Sequence, residues 1–363
     1  MRYLIAPTAY KGTLSPVQAA QIIAANLDGE NDLCPIADGG TGWLDVWAHH
    51  FSSAQRYMIE VHDALLKPRR AEWLLLPSGM AVLESAQAIG IHHIPQESLE
   101  PLQASSYGVG EMLRAAAAHP AMRTLLLGLG GVATTDAGAG ALHALGFQLL
   151  DAAGRPIPPG GEGLLALHTI EPPASDPLHG KSLTLCADVQ NTLLDAARVY
   201  APQKGATPEQ VETLARALEH FATIAQRDTR IDLMRGLGAG AAGGLAGGLH
   251  AFLRAPIVSG IMALLRQVDW DARLHTADCL ITGEGQVDAQ TLMGKGVGVL
   301  IQQAVALGKP VIVLAGRTGA GWEPLARLPR VQVYACTDIA PDRSPEDALA
   351  QTTREALRRH TTA

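Results

Sequence analysis

The chain has 363 residues, 47% of them hydrophobic and 17% charged, which suits a globular protein of two or three domains. Its formal net charge of −7 leaves no basic excess to displace counterions from phosphates, which argues against a nucleic-acid partner. Cys34, Cys186, Cys279 and Cys336 lie far apart with no C-x-x-C pair, so reduced, buried thiols are expected rather than a zinc site or disulfides.

The N-terminal apolar run is too short for a signal peptide. Residues 236–253 are mostly Gly and Ala and too weakly apolar to insert into a bilayer. A cytoplasmic protein with no membrane partner is expected.

Residues 2–7 (RYLIAP) predict a first strand, followed by the loop TAYKGTLSP. Ser15 and Pro16 then offer an N-cap and an N1 proline for a helix through Leu27. A second strand over 32–37 contains Pro35, which suggests an edge position. It ends in Asp38-Gly39-Gly40-Thr41-Gly42, ahead of a helix from Trp43 to about Phe51.

The middle of the chain is too long for a loop. AEWLLLP and AVLES predict a hairpin, SSYGVGEMLRAAAAHP a cap and helix, TLLLGLGG and SLTLCADV buried strands, and 208–226 an amphipathic helix. Gly238 to Gly243 matches G-x-G-x-x-G but has no strand before it, and reads as a chance match within a small-residue packing helix.

Strand and helix alternate again toward the end: DCLITG, a helix over 297–307, a strand over 310–316, a short helix over 323–328, a strand over 331–336 and a helix over 345–359. The two ends together supply five strands. The expected fold is α/β, a flavodoxin-like doubly wound parallel sheet (residues 1–53 and 277–363) interrupted by a second, mixed α/β domain (54–276). Ligands of such sheets bind beyond the carboxyl ends of the strands. The loops TAYKG, DGGTG, TGEGQVD, AGRTG and CTD are therefore expected to cluster around a cleft.

Several stretches carry chemistry, each with a plain alternative. LITGEGQVDAQTLMGK holds Thr282, Gly283, Glu284, Gly285, Asp288, Thr291 and Lys295. Two carboxylates, two glycines and a lysine suit phosphate and magnesium, and a solvated loop is the alternative. Lys11 ahead of a helix N-terminus suits a phosphate or carboxylate, yet most such lysines are simply on the surface. Asp38-Gly39-Gly40 allows close backbone approach, or is an Asp-capped turn. In GLGGVATTDAGAGALHALG, Gly130, Gly131 and Gly138 resemble a phosphate cradle, with Asp136 able to meet metal or hydroxyl. Asp188 and Asn191 follow a buried strand, where a carboxylate can take a hydroxyl proton or close an Asx turn. Lys204 sits beside Gly205. His49-His50 and His92-His93 lack ligand-spaced partners.

Taken together, APTAYKGTLS, PIADGGTG, SSYGVGEM, GLGGVATTDAGAGALHALG, CADVQNTL, APQKGA, GAGAAGGL, ITGEGQVDAQTLMGK and GKPVIVLAG resemble the bacterial glycerate kinase family, in the family's order and over nearly the whole chain. The resemblance implies phosphorylation of a glycerate-like hydroxy acid by ATP with Mg2+. It implies Asp188 and Lys11 as catalytic residues. Asp38, Gly39, Gly40, Ser106, Gly130, Gly131, Asp136, Gly138, Asn191, Lys204, Thr282, Gly283, Glu284, Gly285, Thr291 and Lys295 would bind substrate or nucleotide, and Glu284 and Asp288 would hold Mg2+. A homodimer is allowed.

The chain departs from the family pattern at Thr8 and Ala9, at Thr41, at Val132, Thr135 and Ala137, and at Gln286, and is shorter between Asn191 and Arg198. Rival readings are a kinase for a larger sugar acid and a non-catalytic metabolite-binding protein on the same scaffold. An oxidoreductase comes a distant third.

Overall fold

The computed structural model describes residues 1–10, 12–187, 191–291 and 296–361. Its first strands are β1 (Arg2–Pro7), β2 (Glu30–Leu33), β3 (Gln55–His62), β4 (Pro68–Leu75), β5 (Met80–Glu84) and β6 (Thr124–Gly128). Then come β7 (Gln148–Leu150), β8 (Thr169–Glu171), β9 (Ser182–Ala187), β10 (Ile257–Ser259), β11 (Cys279–Val287), β12 (Val311–Thr318) and β13 (Val331–Ala335). The chain packs as two compact units. One comprises Met1–Ala37, Asp45–His50 and Ile261–Ala363, the other Asp38–Leu44 and Phe51–Gly260.

The first unit is a five-stranded sheet in the order β13-β12-β11-β1-β2, every pair parallel. Taken in chain order within the unit, that is the flavodoxin-like arrangement, 2-1-3-4-5. β1 and the first parts of β11 and β12 (residues 279–281 and 311–315) are buried on both faces, which is why they read as apolar runs. Tyr3, Ile5, Cys279, Ile281, Ile312 and Leu314 share one core with Ile23 of the helix Pro16–Ala24 and Leu349 of the helix Pro345–Thr361. Ser15 starts the former with a complete capping box to Gln18, which satisfies two orphan donors at once.

Three expectations need correction here. The second strand ends at Leu33, because Pro35 has no N–H to give. The backbone nevertheless follows β1 farther, Cys34 N donating to Ile5 O and Ile36 N to Pro7 O. Thr282 to Val287 are strand rather than loop: β12 also runs on through Gly316-Arg317-Thr318, so Glu284 pairs with Ala315 and Gln286 with Arg317. Ladder bonds need backbone partners, not apolar side chains. Gly238 to Gly243 form turns, and the helix begins only at Leu245.

The second unit is a six-stranded sheet, β10-β9-β6-β5-β4-β3. From β5 to β10 the pairs are parallel, whereas β3-β4 and β4-β5 are antiparallel. The expected hairpin is present as β4 and β5. β3 was not predicted, since its Gln, Arg and Glu break up the apolar pattern. Leu125, Leu127 and Leu185 from the sheet meet Met112, Leu142, Phe221 and Leu249 from four helices in one core. Those helices are Tyr107–Ala117, Ala139–Ala144, Pro208–Thr229 and Leu245–Leu253.

Candidate functional site

Lys11, Asp188 and Lys295 lie outside the described residues. The remaining predicted side chains fall into two clusters, one in each unit.

In the first unit the cluster forms where β1 and β11 end. Tyr10 is buried, and its hydroxyl donates to Leu314 O at 2.7 Å. Burial, then Cys336 and Glu284, push its pKa well above the ordinary tyrosine value, so it stays a neutral donor. A Cβ on Gly283 would lie 2.1 Å from Leu314 O and 2.4 Å from the Tyr10 hydroxyl. Glycine is therefore required here by packing. The Thr282 hydroxyl is likewise spent on Ala6 O at 2.7 Å. Gly285 presses its carbonyl toward Gly316, where a Cβ would come within 2.5 Å.

The carboxylates sit just beyond. Thr291, itself buried, donates through Oγ1 to Glu284 Oε1 at 2.9 Å and accepts from Asp288 N at 3.2 Å. Asp288 accepts from Gln290 N at Oδ1 and from Gln286 Nε2 at Oδ2, both at 2.8 Å. Gln286 in turn accepts from Arg317 Nε at 2.8 Å. Thr291 thus sets the two acids at adjoining positions.

The second unit's cluster centres on Asp136, which is wholly buried. Its Oδ2 accepts from Ser106 N and Ser106 Oγ, both at 2.8 Å, and from Gly140 N at 3.1 Å; its Oδ1 accepts from Gly138 N at 3.1 Å. One carboxylate thereby satisfies orphan donors at the starts of two helices, Tyr107–Ala117 and Ala139–Ala144. Burial raises its pKa, against the pull of these bonds. Gly138 takes φ of +76°, a left-handed conformation that favours glycine.

Lys204 is 7% exposed and donates to Thr134 O at 2.6 Å and Thr135 Oγ1 at 3.4 Å. Burial lowers its pKa to about 8, with Asp136 opposing. The lysine therefore sits inside the glycine turn. The Gly238–Gly243 segment braces the same turn, since a Cβ on Gly243 would lie 1.9 Å from Thr134 O; it also packs on the stretch after β9, where a Cβ on Gly240 would lie 1.8 Å from Thr192 O. Asn191 accepts from the Tyr200 hydroxyl at 3.0 Å.

Asp38 is exposed and folds back to accept from Gly40 N at 2.9 Å. Gly39 has φ of +107°, and a Cβ there would lie 2.4 Å from Cys186 O. Gly130 lies against Gly40, and Gly131 against the Thr41 hydroxyl. The Asp38 turn and the glycine turn are therefore layered on each other. Glu84, unnoticed in the sequence, anchors this layer. It is 2% exposed at the end of β5 and accepts from Gly42 N at 3.2 Å and Leu44 N at 3.0 Å. A lone acid closing the apolar run AVLE was the available signal.

Among the departures from the family pattern, Val132, Thr135 and Ala137 are buried. Thr41 is exposed. A cavity of about 390 Å³ in this unit, lined by His62, Ser105, Tyr107, Gly140, His143 and Ile157 among others, contains none of the predicted site residues.

Among the described residues no three His, Cys, Asp or Glu side chains gather as a metal-ligand set, and no helix is long and apolar enough to cross a membrane. The four cysteines are free and buried.

The chain is 37% identical to a glycerate kinase of Halalkalibacterium halodurans, over 88% of this chain and 86% of that one. It is 35% identical to the glycerate 2-kinase of Escherichia coli K12, over 87% and 85%. Among solved structures, a provisionally named glycerate kinase 2 from Salmonella typhimurium LT2 superposes with a TM-score of 0.80 at 32% identity, covering all of this chain and 98% of that one. A sequence model described as the glycerate kinase family matches residues 3–363, and the chain belongs to that family.

Proposed function

We propose that the protein is a small-molecule kinase that transfers the γ-phosphoryl group of ATP to a hydroxyl of glycerate. The observation that carries this reading is the family match running from residue 3 to residue 363. The reading carries a cytoplasmic setting, where ATP is supplied.

In this mechanism the substrate hydroxyl oxygen attacks the γ-phosphorus, the bond to the ADP oxygen breaks, and the hydroxyl proton passes to the Asp188 carboxylate. Phosphoryl transfer asks for positioning and charge stabilisation more than for covalent chemistry. Lys11 would neutralise carboxylate or phosphate. The Asp38 turn, exposed and rigidly backed by Gly39, Gly130 and Glu84, would take the hydroxy acid. Lys204 and Asp136 would act indirectly, by holding the glycine turn.

Mg2+ is usually held by one or two carboxylates, with waters and substrate phosphates completing its shell. Glu284 and Asp288, set side by side by Thr291, fit that description. When bound there, the ion would neutralise charge on the phosphates.

The test is ADP formation with ATP, Mg2+ and D-glycerate, with a panel of C4 to C6 sugar acids alongside. Turnover on glycerate is the expected result. Turnover confined to a larger acid would move the substrate assignment and point to exposed Thr41, and no turnover from folded protein on any acid would overturn the kinase reading.

A further inference from the structure

β3 is the last strand on its side of the six-stranded sheet. It pairs with β4 along its whole length, from Gln55 opposite Leu75 to His62 opposite Pro68. Among the described residues its other edge meets no further strand, so alternate N–H and C=O groups point outward along it. Glu111 closes one end by accepting from His62 N at 2.7 Å.

Exposed edges are templates for pairing, and proteins commonly blunt them with proline, lysine, bulges or very short strands. β3 (QRYMIEVH) has no proline and no lysine, is eight residues long, and runs without a bulge. Its side chains alternate cleanly. Tyr57 stacks on Trp73 with ring centroids 4.5 Å apart and Val61 is buried in the core, whereas Arg56, Met58 and Glu60 face solvent. Met58 is 59% exposed.

We propose that β3 pairs antiparallel with β3 of a second copy, about a two-fold axis through Met58, joining the two sheets into one continuous sheet. Charge selects this register. Of the two-fold registers along the strand, only the one centred on Met58 sets Arg56 opposite Glu60 of the partner subunit, and by symmetry does so twice. Met58 then meets the partner's Met58, and Tyr57 meets the partner's Ile59. The charges on β4 extend the same checkerboard: Arg56 pairs with Glu72, and Glu60 lies opposite Arg70. Opposite charges placed directly across strands stabilise pairing, whereas like charges there oppose it. One strand pair is smaller than a standard interface of about 1,600 Å², so a Kd of roughly micromolar order is expected.

Sedimentation and light scattering over roughly micromolar to hundreds-of-micromolar protein test this. Wild type is expected to dimerise with concentration. Arg56→Glu and Glu60→Arg, each placing like charges opposite one another, should each weaken the dimer about ten-fold or more, and the double reversal should restore it. Met58→Cys adds an exposed thiol to a chain whose native cysteines are all buried. Facing residues of antiparallel strands lie within disulfide reach, so mild oxidation should link two copies through that position. A wild type that stays monomeric with the Met58→Cys thiol uncrosslinked overturns the proposal, as does a dimer indifferent to the single reversals or not restored by the double one.

Discussion

Asp136 and Ser106 are joined by two hydrogen bonds of 2.8 Å, one from the serine N–H and one from its hydroxyl, both to the same carboxylate oxygen. The hydroxyl also accepts from Ala141 N at 3.0 Å. These two residues lock the starts of two helices together. Asp136→Asn, which swaps one acceptor oxygen for a donor, is therefore expected to lower the unfolding free energy by about 2–4 kcal/mol. Urea denaturation would show it, and an unchanged midpoint would mean that the four accepted bonds are dispensable.

Lys204 should leave a mark on stability at alkaline pH. Its folded-state pKa of about 8 lies below the ordinary value near 10.4. Between those values the unfolded chain binds the extra proton, so stability rises with pH across that window. Below it the ammonium is charged in both states, and the cost of burying it is felt in full. Against Lys204→Met, which does not titrate, wild type should gain on the order of 1–3 kcal/mol as pH climbs through the window. Parallel stability profiles for the two proteins would rule out the shifted lysine.

Glu84 is expected to act through the Asp38 turn. Glu84→Gln sets an amide NH2 against the Gly42 or Leu44 N–H, at a cost of about 1–3 kcal/mol. A loosened turn would bind the hydroxy acid less tightly in ground and transition states alike, so KM should rise more than kcat falls. A drop in kcat at constant KM would instead assign Glu84 to the chemical step.

Asp188→Asn should fold normally and lose turnover by about 100-fold or more, the usual scale of general-base catalysis. Circular dichroism and ADP release measured on one preparation separate the two effects. Near wild-type turnover from the folded variant would remove Asp188 from the mechanism.

The legible parts of the fold are those where burial alone dictates sequence. β1, β12 and β13 carry apolar runs because helices or strands cover them, and Ser15-Pro16 marks its helix start through a local capping box. β3 escaped because an edge strand open to solvent on one face can carry Arg56 and Glu60. The tail of β11 escaped because Glu284 and Gln286 are held by backbone pairing with Ala315 and Arg317, residues about thirty positions away. In the candidate site, composition marked the turns at Asp38 and at Gly130 to Gly138. What each polar group does inside them depends on partners distant in sequence: Ser106 for Asp136, Thr134 for Lys204, Leu314 for Tyr10. Glycine at 283 and at 243 is set by the closeness of another backbone, which a single sequence does not record.

The pairing of Tyr3 with Cys279 bears on how the chain is made. β1 sits between β2 and β11, so its inner edge waits for a partner translated more than 200 residues later. Closing so wide a gap costs loop entropy before any contact rewards it. The second unit, drawn mostly from Phe51–Gly260, needs no such delay. On the ribosome it is expected to acquire protection from hydrogen exchange first, with the inner edge of the apolar β1 left unpaired until β11 emerges, a span in which chaperone binding to the nascent chain should be strongest.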